Sequence, residues 1–218
     1  MPLVAIIILV IFGVIFLIGL LVTLIDRFTK ENEEEGKEER NFPRKEFPSS
    51  LSTANKGNRG EEKVASTLAR LYSESPYCHL INDITIEDES SNLHQIDHIL
   101  IKSNGIFVIE TKDWNGTIVG KDEDKEWTQI SNGVRTNHLN PLDQNDIHSQ
   151  AVEEILPSLS PIPVVIMVKN NMPFESNAMI NFDEIENFFS TDFGTSLSVE
   201  DIASAYQVLM HWKDREEK

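Results

Sequence analysis

Residues 95–112, QIDHILIKSNGIFVIETK, consist of two runs of mainly apolar, β-branched residues separated by a short polar break. The two runs predict β-strands over 95–102 and 106–112, since branched apolar side chains suit a pleated, buried surface. An Asn-Gly pair between two such runs is the strongest short-range signal for a β-hairpin. The stretch therefore predicts a hairpin at the centre of an apolar sheet.

Two registers of this hairpin are compatible with the sequence. If Asn104-Gly105 are the turn residues, Asp97 lies opposite Lys112; if Ser103-Asn104 are, Asp97 lies opposite Glu110. Side chains alternate between the two faces of a strand, so in either register the three charged groups share one face. The turn alone leaves both registers open.

Asp97 and Glu110 are surrounded in sequence by isoleucine, leucine, valine and phenylalanine. Burial of an uncompensated carboxylate costs several kcal/mol. A hard divalent cation such as Mg²⁺ or Mn²⁺ would compensate both, and Lys112 could orient a water or stabilise developing negative charge on a phosphoryl group. The alternative is a salt-bridged cluster of the three side chains on a solvated face.

Outward from the hairpin, apolar periodicity and turn residues predict further elements on both sides. The predicted helices are 61–72, 140–156, 183–190 and 198–213, and the further strands are 79–87, 116–120, 126–130 and 163–168. Helices that precede and follow a set of strands indicate an α/β fold with a mixed sheet flanked by helices.

Several short motifs occur in a fixed order along the chain. They are Gly57-x-x-Gly60-Glu61, the two hairpin strands, Trp114-x-Gly116 and Asn140-Pro141-Leu142-x-Gln144. Together they resemble the nuclease-related domain (NERD) of the PD-(D/E)XK nuclease-like superfamily. The resemblance implies a restriction-endonuclease-like domain over 56–170, followed by a helical extension over 171–218 that packs on it.

The resemblance also implies roles for individual residues. Asp97 and Glu110 would be metal ligands for Mg²⁺ or Mn²⁺, and Lys112 would be the catalytic lysine. Glu61 would be the acid of the first helix, with the adjacent Glu62 as its rival, and Gln144 would complete the site. His98 is assigned to packing, and His148 lies one helical turn from Gln144.

Residues 3–25 contain no charged side chain, and this length is enough to cross a bilayer as a helix. A cleaved signal peptide would have a basic start and a shorter apolar run. Lys and Arg follow the segment and none precedes it, which predicts a single-pass cell-membrane protein whose carboxyl-terminal domain is cytoplasmic. Residues 26–55 are predicted to be a charged, flexible tether.

The net charge of −17 argues against tight, nonspecific binding to nucleic acid. Two functions are therefore predicted. The first is a Mg²⁺-dependent endonuclease, a hydrolase of phosphodiester bonds in DNA, anchored to the membrane. The second is a catalytically weak or inactive module that binds nucleic acid or protein there.

Overall fold

A five-stranded mixed sheet is central to the computed structural model, which describes residues 54–72, 75 and 77–216. The helices are α1 (Ala54–Tyr72), α2 (Pro141–Ile155), α3 (Ile185–Phe189) and α4 (Val199–Glu216), and a 3₁₀ turn covers Phe182–Glu184. The strands are β1 (His79–Glu87), β2 (Leu93–Lys102), β3 (Gly105–Lys112), β4 (Thr117–Val119), β5 (Glu126–Ser131), β6 (Val134–Leu139), β7 (Ile162–Met167) and β8 (Met179–Asn181). The predicted α/β class with a mixed sheet flanked by helices is confirmed.

The strand order in the main sheet is β1-β2-β3-β7-β8. β1, β2 and β3 form an antiparallel meander, whereas β3, β7 and β8 are parallel. A parallel pair requires a long crossover connection, and the one from β3 to β7 contains the β4-β5-β6 sheet and α2. This crossover brings α2 back against the central strand.

The hairpin turn resolves the register that the sequence left open. Lys102 pairs with Gly105, so the two turn residues are Ser103 and Asn104. The Asn104 side-chain amide donates to the carbonyls of Phe189 and Thr191, at 3.1 and 2.7 Å. Contacts from the carboxyl-terminal region therefore hold this turn, and the sequence of the hairpin itself contains no signal for them.

Both faces of the main sheet are covered by helices. On one face Ile99, Ile101 and Val108 belong to an apolar cluster with residues of α2 and α4. On the other, Leu100 and Phe107 belong to a cluster with residues of α1 and α3. The central strands are thus buried on both sides, as their continuous apolar sequence requires.

A second, antiparallel sheet contains β4, β5 and β6. Trp127 in β5 is fully buried, and its indole Nε1 donates to the Lys121 carbonyl at 2.8 Å. Gly120 permits this packing, because a Cβ there would lie 2.3 Å from the indole ring. β6 was not predicted: its residues are almost all exposed and lack the alternation that marks a half-buried strand.

The predicted transmembrane helix (3–25) and residues 26–53 of the predicted tether lie outside the described residues. α1 begins at Ala54, so the last two residues assigned to the tether are helical. Within the part of the chain that is described, no helix has both the length and the apolar character needed to cross a bilayer.

Candidate active site

Two carboxylates meet where the β2–β3 hairpin ends. His98 pairs with Ile109, which places Asp97 opposite Glu110 on the neighbouring strand. The Thr111 backbone N–H donates to Asp97 Oδ2 at 2.7 Å. The Asp97 carboxylate therefore accepts a hydrogen bond that a backbone carbonyl accepts elsewhere in a sheet. Glu110 is only 4% exposed.

Lys112 and Gln144 complete a closed set of hydrogen bonds around Glu110. Lys112 Nζ lies 2.5 Å from Glu110 Oε1 and donates to Gln144 Oε1 at 3.0 Å. Gln144 Nε2 in turn donates to Glu110 Oε1 at 3.0 Å. The structure therefore brings Glu110, Lys112 and Gln144 together in one hydrogen-bonded set, with Asp97 next to them across the hairpin.

The start of α2 determines the position of Gln144. Asn140 caps the helix by accepting from the Leu142 N–H at 3.0 Å, and Pro141 occupies the first turn, where no intrahelical donor is needed. The Asn140 amide also donates to the carbonyls of Asp122 and Asp124. The cap thus ties α2 to the loop before β5.

Asn145 ties the same helix to the central strand. It is 1% exposed, and its Nδ2 donates to the Val108 carbonyl at 3.0 Å. Asn145 was not predicted as a site residue, because its only signal in the sequence is a polar side chain next to Gln144 in a predicted helix. Val108 lies two residues before Glu110 in β3, and Asn145 is adjacent to Gln144 in α2. This hydrogen bond therefore fixes the position of Gln144 relative to Glu110.

His148 follows Gln144 by one turn and approaches the other oxygen of Glu110. Its Nδ1 lies 3.3 Å from Glu110 Oε2, but neither atom has an aligned hydrogen-bond partner among the described residues. The His148 ring makes an edge contact with His94, whose Nε2 lies 2.9 Å from Asp88 Oδ2. His98, by contrast, is buried in β2 with its Nδ1 2.9 Å from Asn82 Oδ1.

The carboxylates of Glu110 and Asp97 differ in electrostatic environment. Burial opposes ionisation of Glu110, but the Lys112 ammonium and then His148 outweigh it and lower its pKa to about 2. Burial raises the pKa of Asp97 well above its ordinary value, and the negative charges of Glu110 and Glu61 raise it further. The negative charge of Glu110 is thus stabilised by neighbouring groups, whereas the surroundings of Asp97 oppose its ionisation.

Glu61 contributes a third acid from α1. Burial raises its pKa, and so do the charges of Asp83 and Glu110. Glu62, its rival in the sequence, is exposed. Of the two adjacent acids, Glu61 is therefore the one within electrostatic range of the hairpin carboxylates.

The residues present fit a divalent cation in two respects. Glu110 Oε2 is buried without a hydrogen-bond partner in the described part of the chain, and burial, followed by the charges of Glu110 and Glu61, disfavours the ionised form of Asp97. A cation would relieve both. Among the described residues, no three His, Cys, Asp or Glu side chains form a preorganised metal site. Mg²⁺ commonly uses only one or two carboxylates, with waters and substrate phosphates as its other ligands.

Trp114 connects the second sheet to this site. Its ring stacks on His138 of β6 with the ring centroids 4.4 Å apart, and Lys112 Nζ lies 5.6 Å from the Trp114 ring centroid. Burial and then the Lys112 charge lower the pKa of His138, which favours a neutral imidazole beside the lysine. β6 thereby supports one side of the candidate site, although it was missed in the sequence.

The chain matches one known protein family over the region that contains this site. The family model described as the nuclease-related domain matches residues 56–169, more than half of the chain. An uncharacterized protein of Bacillus anthracis is 26% identical over 162 residues, which cover 71% of this chain and 76% of that protein. No solved structure matches the chain.

Proposed function

The chain belongs to the nuclease-related domain family, and we propose that it is a metal-dependent nuclease that hydrolyses phosphodiester bonds in DNA. One observation carries this proposal: Glu110, Lys112 and Gln144 are joined in one hydrogen-bonded set with Asp97 beside it. Two acids, a lysine and an amide are the groups needed to hold a cation and a charged phosphoryl centre together.

Each residue has a distinct part in this proposal. Asp97 and Glu110 would hold Mg²⁺ or Mn²⁺, which when bound polarises a phosphoryl oxygen and acidifies a water. The Lys112 ammonium, already fixed by two acceptors, donates a hydrogen bond to the charge that develops at phosphorus or to the attacking water. Gln144 holds the Lys112 ammonium and the Glu110 carboxylate together through its side-chain amide, and Glu61 would accept a hydrogen bond from a water at the α1 side.

The predicted location is part of the same proposal. A membrane helix over 3–25 would hold this domain at the cytoplasmic face of the cell membrane, so the enzyme would act on DNA near the bilayer. Since the net charge of −17 weakens long-range attraction of DNA, productive binding would depend on local contacts near the site.

Cleavage assays with the full-length chain test the proposal. We expect DNA cleavage with Mg²⁺ or Mn²⁺, and a loss of about 100-fold or more in Lys112→Met, as for other groups that stabilise transition-state charge. Lys121→Met, at an exposed position, is the control and should cleave as the wild type does. Equal rates for Lys112→Met and the control would contradict the role of Lys112.

A binding module without catalysis is the second candidate. The Lys112–Glu110 pair favours it, because an ammonium at 2.5 Å already neutralises the carboxylate that a cation would need. Thermal melting with Mn²⁺ separates the two candidates: a metal enzyme should melt at a higher temperature with Mn²⁺, and Asp97→Asn should remove that increase. A melting temperature unchanged by Mn²⁺ in the wild type would leave only the module.

A further inference from the structure

A cavity of about 270 Å³ lies where the chain leaves β3 and β7, and three of its six lining residues are cationic. Its lining residues come from α1, from the segment after β3 and from the segment after β7. They are Arg59, Lys63, Asp113, Asn115, Val168 and Lys169. No role was predicted for this set from the sequence.

Gly60 makes the cavity possible. A Cβ at this position would lie 2.7 Å from Asp113 Cβ, so only glycine lets α1 approach the segment after β3 this closely. Arg59 and Lys63 are four residues apart in the helix and therefore lie on the same side of it. The Gly60 in the first sequence motif thus sets the position of two cations.

The ends of two parallel strands supply the opposite wall. Lys112 pairs with Met167 at the ends of β3 and β7, so Asp113 and Lys169, which follow these strands, come to one edge of the sheet. Lys169 Nζ lies 2.9 Å from Asp113 Oδ1. Chain segments distant in sequence therefore bring three cations around one space.

The cavity carries an excess of positive charge. Three of its side chains are cationic and one is acidic, and Lys169 is 43% exposed, so its ion pair with Asp113 is a weak one. Lys63 Nζ lies over the Phe182 ring, 3.6 Å from its centroid. Within the described residues, no carboxylate forms an ion pair with Arg59 or Lys63. In a chain of net charge −17 such a local excess is suited to an anion.

Backbone contacts connect the cavity lining to the candidate active site across one edge of the sheet. Asp113 follows Lys112 in the chain, and the Val168 N–H donates to the Lys112 carbonyl at 3.0 Å. Glu61, which lies between Arg59 and Lys63 in the sequence of α1, projects from another side of the helix. A polyanion that reaches Lys112 would therefore have a neighbouring phosphate close to these cations.

We propose that this cavity binds a phosphate group of the DNA substrate that neighbours the phosphate to be cleaved. The inference rests on the proposed function and specifies how an acidic chain holds DNA. The Arg59 guanidinium offers a planar set of donors suited to phosphate oxygens, and the two lysines act as point charges. The phosphate is either an internal one or the phosphate at a 5′ end.

Binding measured without cleavage tests this inference. The full-length chain is titrated in EDTA with a short fluorescent DNA duplex that has either a 5′-phosphate or a 5′-hydroxyl. Arg59→Gln and Lys169→Gln should each raise Kd about tenfold near 0.1 M salt, and each should reduce the slope of log K against log salt by about 1. Arg70→Gln is the matched control, since it removes the same charge from an exposed position on the same helix.

The outcomes are separable. Lys169→Arg should retain affinity if charge at this position is what matters, which excludes misfolding as the reason for a loss in Lys169→Gln. If only the 5′-phosphorylated duplex loses affinity in the variants, the cavity takes a terminal phosphate; equal losses for both duplexes indicate an internal one. An Arg59→Gln effect no larger than that of Arg70→Gln would overturn the proposal. A failure of cleavage in every form, with the binding differences between the variants retained, would count against the enzyme alone and leave the inference intact.

Discussion

Replacing Lys112 by methionine removes one charge of the Lys112–Glu110 pair and retains most of the apolar stem. Although burial opposes ionisation of Glu110, Lys112 and His148 lower its pKa from 4.5 to about 2. At about 1.4 kcal/mol per pKa unit this corresponds to about 3 kcal/mol of stability at neutral pH. Loss of one partner of a buried pair typically costs about 3–5 kcal/mol, which is the same size. We therefore expect Lys112→Met to lower the free energy of unfolding by about 3 kcal/mol at pH 7.

The effect should depend on pH in a definite direction. The pKa of Glu110 is depressed in the folded chain, so its contribution is complete above the unfolded value of 4.5 and is lost as pH falls toward about 2. The difference between wild type and Lys112→Met should therefore be about 2 kcal/mol smaller at pH 3 than at pH 7. Urea unfolding of the full-length chain in EDTA at both pH values measures it.

Lys169→Met is the matched control for this experiment. Lys169 also lies 2.9 Å from a carboxylate oxygen, that of Asp113, but its side chain is 43% exposed, against 15% for Lys112. A surface pair of this kind contributes about 1 kcal/mol or less. The double variant Lys112→Met with Glu110→Gln should recover part of the loss, because it removes the unpaired carboxylate. A cost for Lys112→Met that equals that of Lys169→Met, or that is the same at both pH values, would refute the reasoning.

Three further predictions concern the surroundings of this pair. Asp97→Asn should raise the melting temperature of the metal-free chain at neutral pH, because burial, Glu110 and Glu61 penalise only the ionised form of Asp97. At low pH, where Asp97 is protonated, this increase in melting temperature should vanish; an equal increase at low pH would contradict the prediction. Gly60→Ala should lower the free energy of unfolding, measured in urea, by about 1–3 kcal/mol, because the added Cβ meets Asp113. Ser66→Ala, at an exposed position of the same helix, is the control: it shows how much an added alanine stabilises the helix by propensity alone. Asn145→Ala should lower the free energy of unfolding by about 1–3 kcal/mol, because the Val108 carbonyl loses its hydrogen-bond donor. The cleavage rate should fall as well; a rate equal to that of the wild type would show that this hydrogen bond does not position Gln144.

The hairpin was predictable because its information is local. Apolar runs and the polar break between them fixed two strands and placed Asp97, Glu110 and Lys112 on one side of the hairpin. The choice of register was not predictable, since Asn104 is held by carbonyls of residues 189 and 191, far away in sequence. The predicted helix near 140–156 was likewise confirmed, because the cap at Asn140 and the proline after it are local signals.

The features that the sequence did not reveal depend on distant contacts. β8 has only three residues and exists by pairing with β7, while β6 pairs with β5 through backbone bonds with most of its side chains in solvent. The role of Asn145 depends on the packing of α2 against β3, where its side chain donates to the Val108 carbonyl. The basic cavity depends on the close approach of Gly60 to Asp113. None of these contacts leaves a periodic signature in the chain. The role of residues 3–25 at a membrane stays a prediction.

The long connection between β3 and β7 has a consequence for the time course of folding. Asp97, Glu110 and Lys112 belong to a hairpin that closes a very short loop, whereas Gln144 is 34 residues from Glu110 and arrives with α2. Local hairpins form quickly and contacts across long crossovers form late. We therefore expect the carboxylates and lysine to meet before the glutamine joins them, so that a nascent chain has an incomplete site until α2 docks. Pulse-labelling hydrogen exchange should show earlier protection of β2 and β3 amides than of α2 amides; simultaneous protection would argue for assembly in one step.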